Sequence, residues 1–201
     1  AAPNTNLPDA LTVIAPTALS ASEALYSTIG GAGVKVRVTI DWNASKDIFV
    51  REYEVEWRLN GSSTYTHLTT TRNLTARLDD ADPNVYDFRV RAINSMGVSS
   101  DWATLDNVTI AGLTVPPVDV DGLSLIALGG YAHLSWDLAT DLDVRTGGKV
   151  RFRHSNLTSG ASWESSTDIG SAVAGHNTTV VLPLLTGTYM AKFVDSTSNE
   201  S

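Results

Sequence analysis

The chain has 201 residues, of which 42% are hydrophobic, so its length allows one large or two small domains with apolar cores. Its formal net charge of −8 and its pI of about 4.8 argue against nucleic acid, whose phosphates need clustered lysine and arginine, and against charge-driven adhesion to an anionic membrane. The absence of cysteine excludes disulfides and thiolate metal sites, and no apolar run approaches the roughly 20 residues that a membrane helix requires.

The first half alternates apolar and polar residues with the period of a β-strand. Residues 1–7 are polar and contain proline, and we interpret them as a linker. Val34–Trp42 alternates valine, isoleucine and tryptophan with charged or hydroxyl side chains, and Tyr86–Ile93 repeats this pattern with Asp87, Arg89 and Arg91 on its charged side. Such strands need a second sheet to cover their apolar side, so the pattern predicts a β-sandwich. Further strands are expected at 50–57, 65–71, 75–78 and 102–110, and Ser22–Tyr26 is interpreted as loop.

The second half begins after Leu113–Pro117, where two prolines at a composition break suit a domain junction. Short strands are expected at 123–126, 131–136, 150–154, 178–184 and 188–194. No segment sustains a period of 3.6 residues, so we expect almost no helix. No closing strand is evident before Ser201, and we expect the second sandwich to be incomplete at this end, with the parent chain supplying the strand.

An internal repeat supports two similar domains. Trp42 and Trp136 are 136 − 42 = 94 residues apart, and Asp47 and Asp141 keep the same offset. At an offset of 95, Val55 pairs with Val150, Trp57 with Phe152 and Arg58 with Arg153. A period near 95 is too long for a solenoid and suits tandem sandwiches of about 100 residues. We therefore predict one domain at 8–112 and a second at 113–201.

Metal ligation finds little support in the spacing of candidate ligands. His67, His133, His154 and Glu164 show no spacing typical of a metal site. Asp137, Asp141 and Asp143 resemble part of a calcium loop, but the glycine and the distal glutamate of an EF-hand are missing. A solvated loop is the favoured interpretation of this trio, and calcium binding stays open. We expect no metal and no cofactor.

Catalysis has no recognisable motif in this sequence. Gly-x-Ser-x-Gly and phosphate-binding loops are absent, and Asp79, Asp80 and Asp82 fall in turns, where aspartate is common. We expect that the chain is not an enzyme. Tryptophans offer one binding chemistry, the stacking of sugars. Trp42, Trp57 and Trp136 lie on the apolar side of strands and are assigned to the core, which leaves Trp102 and Trp163 as the candidate ligand-binding residues.

Residues 8–112 resemble a fibronectin type III domain. The resemblance rests on the order and spacing of Val38–Trp42, Tyr53–Arg58 and Tyr86–Asn94, with Gly97 after the last segment. It implies a seven-strand, two-sheet sandwich in which Trp42 lies in the core. It also implies that Tyr86 is the corner tyrosine, with its hydroxyl bonded to the backbone of the loop near residues 78–82.

Both halves resemble the fibronectin-like region of long-tailed bacteriophage tail-tip proteins, the lambda J-like central tail fibre or host-specificity family. The most specific segments are Asp141–Arg145, Gly148–Ser155, Gly160–Glu164 and Leu182–Ser196. The sequence departs from the family's pattern at Ser198, where glycine is expected. The resemblance implies a non-catalytic spacer or adhesion segment of a virion. Its partners would be other tail-tip proteins or the rest of the same chain, in a homotrimer, and a host receptor or glycan.

Two other functions remain open from sequence. The first is an accessory pair of fibronectin type III domains in a secreted bacterial polysaccharide-degrading enzyme, which would serve as a spacer or bind glycans. The second is a stand-alone enzyme, which would need turnover that a single carboxylate substitution abolishes. A catalytic domain beside this segment would favour the accessory role.

Overall fold

The structure, a computed structural model, describes residues 12–28 and 33–201. The predicted linker at 1–7 lies outside the described residues. The described chain forms two compact units, one of residues 12–24 and 36–112 and the other of residues 25–28, 33–35 and 113–201. Within the described ranges, no helix is both long and apolar enough to span a membrane.

The first unit is a two-layer β-sandwich. A three-stranded sheet has the order β1-β2-β5 and a four-stranded sheet has the order β4-β3-β6-β7. Ser22–Tyr26 belongs to β1, so its interpretation as loop was wrong, because its alternating side chains suit an edge strand better than a helical turn. The strands are β1 (Thr17–Ser27), β2 (Val34–Asn43), β3 (Val50–Leu59), β4 (Thr66–Thr71), β5 (Thr75–Asp79), β6 (Asn84–Asn94) and β7 (Ala103–Ile110).

The core of the first unit confirms the predicted strand phase. Val38 and Ile40 on β2 are fully buried, and Trp42 packs edge-on against Tyr53 of the facing sheet with ring centroids 5.6 Å apart. The Tyr86 hydroxyl donates to the Asp82 carbonyl at 2.9 Å, which confirms the corner tyrosine. Burial raises the pKa of this hydroxyl. The sandwich is thus stabilised by the buried apolar faces of its strands and by the Tyr86–Asp82 hydrogen bond at its corner.

The second unit is also built of two sheets. One sheet has the order β13-β9-β8; in the other, β10 pairs with β11 and β12 on one side and with β14 on the other. One helical turn, α1, follows β9, and a 3₁₀ turn at Gly112–Thr114 precedes β8. The elements are β8 (Ser124–Leu128), β9 (Tyr131–Ser135), α1 (Leu142–Arg145), β10 (Lys149–Ser155), β11 (Thr167–Asp168), β12 (Val173–Ala174), β13 (Thr179–Pro183) and β14 (Thr188–Val194).

Two glycines let α1 pack into the core of the second unit. Val144 is fully buried beneath the sheets. A Cβ atom at Gly148 would lie 2.6 Å from the Val144 Cα, and one at Gly175 would lie 2.0 Å from the Val144 carbonyl oxygen. Neither separation is possible for real atoms, so both positions require glycine. The segment 141–148 therefore packs closely into the core of the second unit.

One turn occurs in both units with the same hydrogen bonds. The Asn94 Oδ1 accepts the backbone N–H groups of the residues two and four places on, each at 3.0 Å. The Asp195 Oδ1 accepts the corresponding groups at 2.8 and 2.9 Å. Gly97 and Ser198 occupy the same position, with φ of 79° and 77°. The two turns therefore correspond at an offset of 195 − 94 = 101 residues.

The hydrogen bonds that follow the turn keep this offset. The Ser100 N–H donates to the Ala92 carbonyl at 2.9 Å, and the Ser201 N–H donates to the Phe193 carbonyl at 3.0 Å. Each serine hydroxyl also accepts from the same partner's N–H, at 3.0 Å in the first unit and 3.1 Å in the second. The serine that follows the turn therefore makes the same two hydrogen bonds in both units.

The sheet register corrects part of the predicted repeat. Trp42 and Trp136 are equivalent, since their N–H groups donate to Leu74 and Thr178 on the paired strands. On β3 and β10, however, Tyr53 lies opposite Ala92 and Val150 lies opposite Phe193, so the offset is 150 − 53 = 97 rather than 95. The error of two residues escaped detection because a shift of two keeps every side chain on the same face.

Candidate functional site

The outer face of the four-stranded sheet in the first unit carries rows of paired charges. Glu54 lies opposite Arg91 and Glu56 lies opposite Arg89 across β3 and β6. The arginine Nε atoms donate to these carboxylates at 2.6 and 2.7 Å. Opposite charges facing one another across strands stabilise the register of the pair. This surface, with Arg58, Tyr65 and Trp102, is called the arginine–aromatic face.

Aromatic rings extend these ion pairs into a stack. The Arg89 guanidinium carbon lies 3.8 Å from the centroid of the Tyr65 ring and 4.2 Å from that of Trp102. Arg91 lies 4.4 Å from Trp102, and Arg58 lies 4.4 Å from Tyr65. Each guanidinium is attracted by the negative face of a ring while its edge bonds a carboxylate. The stack therefore holds long side chains in fixed positions on the sheet.

Asp87 is a buried carboxylate at one end of the arginine–aromatic face. It is 1% exposed although it lies opposite Arg58 on the outer side of β6, because Arg58, Asn60 and the bulge of β7 at Asn107 cover its carboxylate. Its carboxylate accepts from the Asn107 N–H at 3.0 Å, from the Asn60 amide at 3.0 Å and from Arg58 at 2.9 Å. These donors, led by the Asn107 N–H, lower the pKa of Asp87. The prediction that Asp87 lies on the charged side of β6 is confirmed, but its burial was not predicted, because the bulge of β7 that covers it cannot be recognised from alternation.

The second unit carries a similar surface built from a different loop. Trp163, between β10 and β11, lies over Arg153 at 4.8 Å and near Arg151 at 5.8 Å and Lys192 at 5.6 Å. Arg153 donates to the Trp163 carbonyl at 2.6 Å and to Asp168 at 2.9 Å. This hydrogen bond from Arg153 is the main cause of the lowered pKa of Asp168. Arg151 pairs with Asp168 and Glu200.

The two tryptophans predicted to bind ligand therefore already contact positively charged side chains. Trp102 and Trp163 are each partly buried and lie in separate units. Trp42 and Trp136 are core residues, as predicted, whereas Trp57 is only partly buried and tilts against Tyr86 at 5.6 Å. A sugar-stacking platform needs a free ring face, and cations already lie over both candidate rings. Sugar binding by Trp102 and Trp163 stays a prediction.

One cluster of metal-ligating side chains escaped the sequence analysis. Atoms of Glu54, Glu56 and His67 lie within 4.8 Å of one another, because β3 and β4 bring them to one edge of the arginine–aromatic face. Arg91 and Arg89 already occupy the two carboxylates, and a divalent cation would meet their positive charges. Among the described residues, Asp137, Asp141 and Asp143 do not form a group of this kind.

An uncharged, apolar surface covers the outer face of the β13-β9-β8 sheet. Ile126 and Val181 flank His133 in one row, and Leu128 lies opposite Tyr131 in the next. Ile126 is 68% exposed, Leu128 65%, Tyr131 56% and Val181 55%. These four residues, with Pro183, are called the apolar face. The short apolar runs of β8 and β9 predict strands but do not show which of their apolar side chains face outward.

The corresponding sheet of the first unit has the opposite character. On β2 and β5, Arg37 lies opposite Asp79, and Asp41 and Arg77 point to the same side. Arg37 and Asp79 form an ion pair. Equivalent strands therefore carry charge in one unit and exposed aliphatic and aromatic side chains in the other. Exposed apolar patches of this kind are typical of interaction surfaces.

Comparison with known proteins gives limited sequence similarity. No family model matches the chain. The human sortilin-related receptor is 29% identical over 102 residues, which is 50% of this chain and 4% of that receptor. The chain thus spans a small fraction of the length of this relative.

The similar solved structures include two segments of tandem fibronectin type III domains. A two-domain fibronectin type III segment of chicken tenascin is 17% identical, with 93% of this chain and 94% of that one covered and a TM-score of 0.39. The chicken CNTN1 FN1–FN3 domains are also 17% identical, with 94% and 64% covered and a TM-score of 0.34. The predicted all-β fold is confirmed by the strand order, and the chain is similar to fibronectin type III domain pairs.

Proposed function

We propose that the chain is a non-catalytic structural and binding segment of a phage tail-tip protein, serving as a spacer or adhesion module in host attachment. The observation that carries the proposal is the apolar face of the second unit, which suits a module packed against neighbours in an assembly. The resemblance of 140–201 to tail-tip proteins supplies the biological setting. Fold alone does not establish function, so the setting needs its own test.

The spacer role is supported by the outer surfaces of both units. The cross-strand ion pairs and cation–π contacts around Arg89 and Arg153 fix side chains that would otherwise be mobile. Surface pairs of this kind add little stability singly, about 0–1 kcal/mol, but a network with ideal geometry contributes more. A module of this construction keeps its shape without disulfides.

The binding role is assigned to contact with other copies of the chain in a homotrimer. Ile126 and Val181 would be buried there, and the absence of charge on the apolar face removes the repulsion expected between chains of net charge −8. Replacing Ile126 and Val181 by Asp should prevent incorporation of the parent protein into tail tips. A matched control is Thr39→Asp, on the charged outer side of β2.

The phage role is tested by adsorption. Antibodies raised against this fragment should slow phage attachment to host cells, and prior absorption of the antibodies with purified fragment should restore it. Normal attachment with antibody demonstrably bound to particles would remove the adhesion role and leave the spacer role. Failure of the antibody to bind any particle would remove the tail-tip proposal itself.

A glycan-binding accessory pair in a secreted enzyme is the second candidate. Its support is the presence of a partly exposed tryptophan on each unit, Trp102 and Trp163. Retention on insoluble polysaccharide that Trp102→Ala or Trp163→Ala abolishes would favour it. The arginines over both rings make this outcome the less expected one.

A further inference from the structure

The turn that follows β3 contains an asparagine directly before a glycine. The Ser62 N–H donates to the Leu59 carbonyl at 3.0 Å across this turn, and Gly61 has a φ of 83°. Asn60 and Gly61 are both exposed. Apart from its chain neighbours, no atom of the described residues lies within 4 Å of the place that a Gly61 Cβ would take. The peptide bond that joins Asn60 to Gly61 therefore lies at the open surface of the turn.

An asparagine in this setting can be converted to aspartate without an enzyme. The Gly61 backbone nitrogen loses its proton to base and attacks the Asn60 Cγ, which forms a cyclic imide as the side-chain amide takes up a proton and leaves as ammonia. Water then opens the imide at either carbonyl and leaves aspartate or isoaspartate at position 60. Glycine has no Cβ to obstruct the attack. The rate is therefore limited by the freedom of the Asn60 side chain.

The fold restrains the Asn60 side chain through its amide nitrogen. The Asn60 Nδ2 donates to the Asp87 Oδ1 at 3.0 Å and to the Asn107 Oδ1 at 3.1 Å. Asn107 lies in the bulge of β7 opposite Asp87, and its own N–H also donates to the Asp87 Oδ1 at 3.0 Å. The reaction draws the Asn60 Cγ toward the Gly61 nitrogen and expels Nδ2, so both hydrogen bonds of Nδ2 oppose it.

We propose that Asn60 is a site of spontaneous deamidation and that its hydrogen bonds to Asp87 and Asn107 set the rate. The product acts back on the first unit. A carboxylate at position 60 cannot donate, so Asp87 loses one donor and the Asn107 Oδ1 loses its partner. Two like charges then lie beside Arg58, which donates to Asp87 at 2.9 Å, and this end of the arginine–aromatic face is weakened. The inference does not depend on the tail-tip setting.

The test compares the intact chain with Asn107→Gly during incubation at neutral pH. Glycine suits the φ of 60° at position 107 and keeps the N–H that donates to Asp87, so the variant removes only the Oδ1 acceptor. Digestion in acid followed by mass spectrometry measures aspartate and isoaspartate at position 60 over time. We expect Asn60 to convert about two- to tenfold faster in Asn107→Gly, the factor that corresponds to one ordinary hydrogen bond.

Two controls accompany this comparison. A synthetic peptide of residues 57–65 gives the unrestrained rate, and the exposed Asn73, which precedes Leu74, is an internal reference in the same digests. Slower conversion in the intact chain than in the peptide, with Asn73 converting equally in both proteins, supports the proposal. Equal rates in the peptide and the intact chain would overturn it, as would equal rates in the intact chain and Asn107→Gly.

Two further outcomes would also overturn the proposal. Acceleration at both Asn60 and Asn73 in Asn107→Gly would show a general loosening of the first unit instead of the loss of one restraint. Full conversion of the peptide, with no conversion at position 60 in either protein, would remove the site itself.

Discussion

Ser198 adopts the left-handed backbone conformation of Gly97 at the equivalent position of the repeated turn, with φ of 77° against 79°. A side chain at such a φ costs roughly 1–2 kcal/mol, a cost that glycine avoids. Ser198 therefore introduces local strain into a hydrogen-bond arrangement that occurs in both units. The turn forms despite it because Asp195 accepts three hydrogen bonds at its Oδ1.

Ser198→Gly should stabilise the second unit by roughly 1 kcal/mol, because it removes this strain and keeps every backbone bond of the turn. Urea unfolding followed by hydrogen exchange in each unit measures the effect. Gly97→Ser is the reciprocal control and should destabilise the first unit by a similar amount. Loss of stability in Ser198→Gly would mean that the serine is not strained.

Trp42→Ala should cost roughly 3–5 kcal/mol, the usual cost for a buried aromatic residue, and is expected to unfold the first unit. Trp42 is 4% exposed and fills the space between the sheets beside Tyr53. Calorimetry of the intact chain measures the change. The partly buried Trp102 gives a comparison, since Trp102→Ala removes contacts on the outer face of the sheet and not in the core. A melting temperature that Trp42→Ala leaves unaltered would contradict the assignment of the core.

Asp87 should make the first unit sensitive to acid. Its folded pKa lies below the ordinary value of 3.8, so its contribution is present above that value and disappears as the pH falls through the folded pKa. Asp87→Asn should cost roughly 2 kcal/mol at pH 7 and flatten the dependence below pH 4. Asp106→Asn, at an exposed position, is the control. Equal acid sensitivity in Asp87→Asn and the parent chain would refute this role.

Asp143 should act in the opposite sense in the second unit. It is 5% exposed, and its burial, with a smaller effect from the charge of Asp195, raises its pKa above 3.8. The buried carboxylate therefore destabilises the fold at neutral pH, and the penalty is relieved as the pH falls through the raised pKa. Asp143→Asn keeps the acceptor for the Val144 N–H and should add roughly 0.5–2 kcal/mol at pH 7.

Asp119→Asn is the matched control for that substitution, because it removes the same charge from an exposed position. It should leave the free energy of unfolding within about 0.5 kcal/mol of the parent. If both variants are stabilised equally, the benefit comes from lower net charge and not from the burial of Asp143.

Most of the fold could be predicted because alternation is a direct record of which side of a strand is buried. Val38, Ile40 and Trp42 indicate a core in this way, because a period of two places all three side chains on one face of the strand. The bulge of β7 opposite Asp87 could not be predicted, since an extra residue on one strand leaves no mark in composition. The register of β10 was also ambiguous, because a shift of two residues changes no face.

The candidate surfaces were less predictable for a different reason. The sequence places Trp102 and Trp163 near loops, but alternation does not show that arginines of the preceding strands, β6 and β10, lie over their rings. Ile126 and Val181 of the apolar face lie on either side of His133 in one row of the sheet. Only the order of the three strands places them in that row. Long-range pairing of this kind is not encoded in any single segment.

The most direct measurement of the tail-tip proposal is immunogold electron microscopy, with antibodies against this fragment, on particles and cells from its source. The proposal predicts gold at the distal end of a phage tail. Gold on cell surfaces or secreted material, with none on virions, would contradict it and favour the accessory role in polysaccharide degradation.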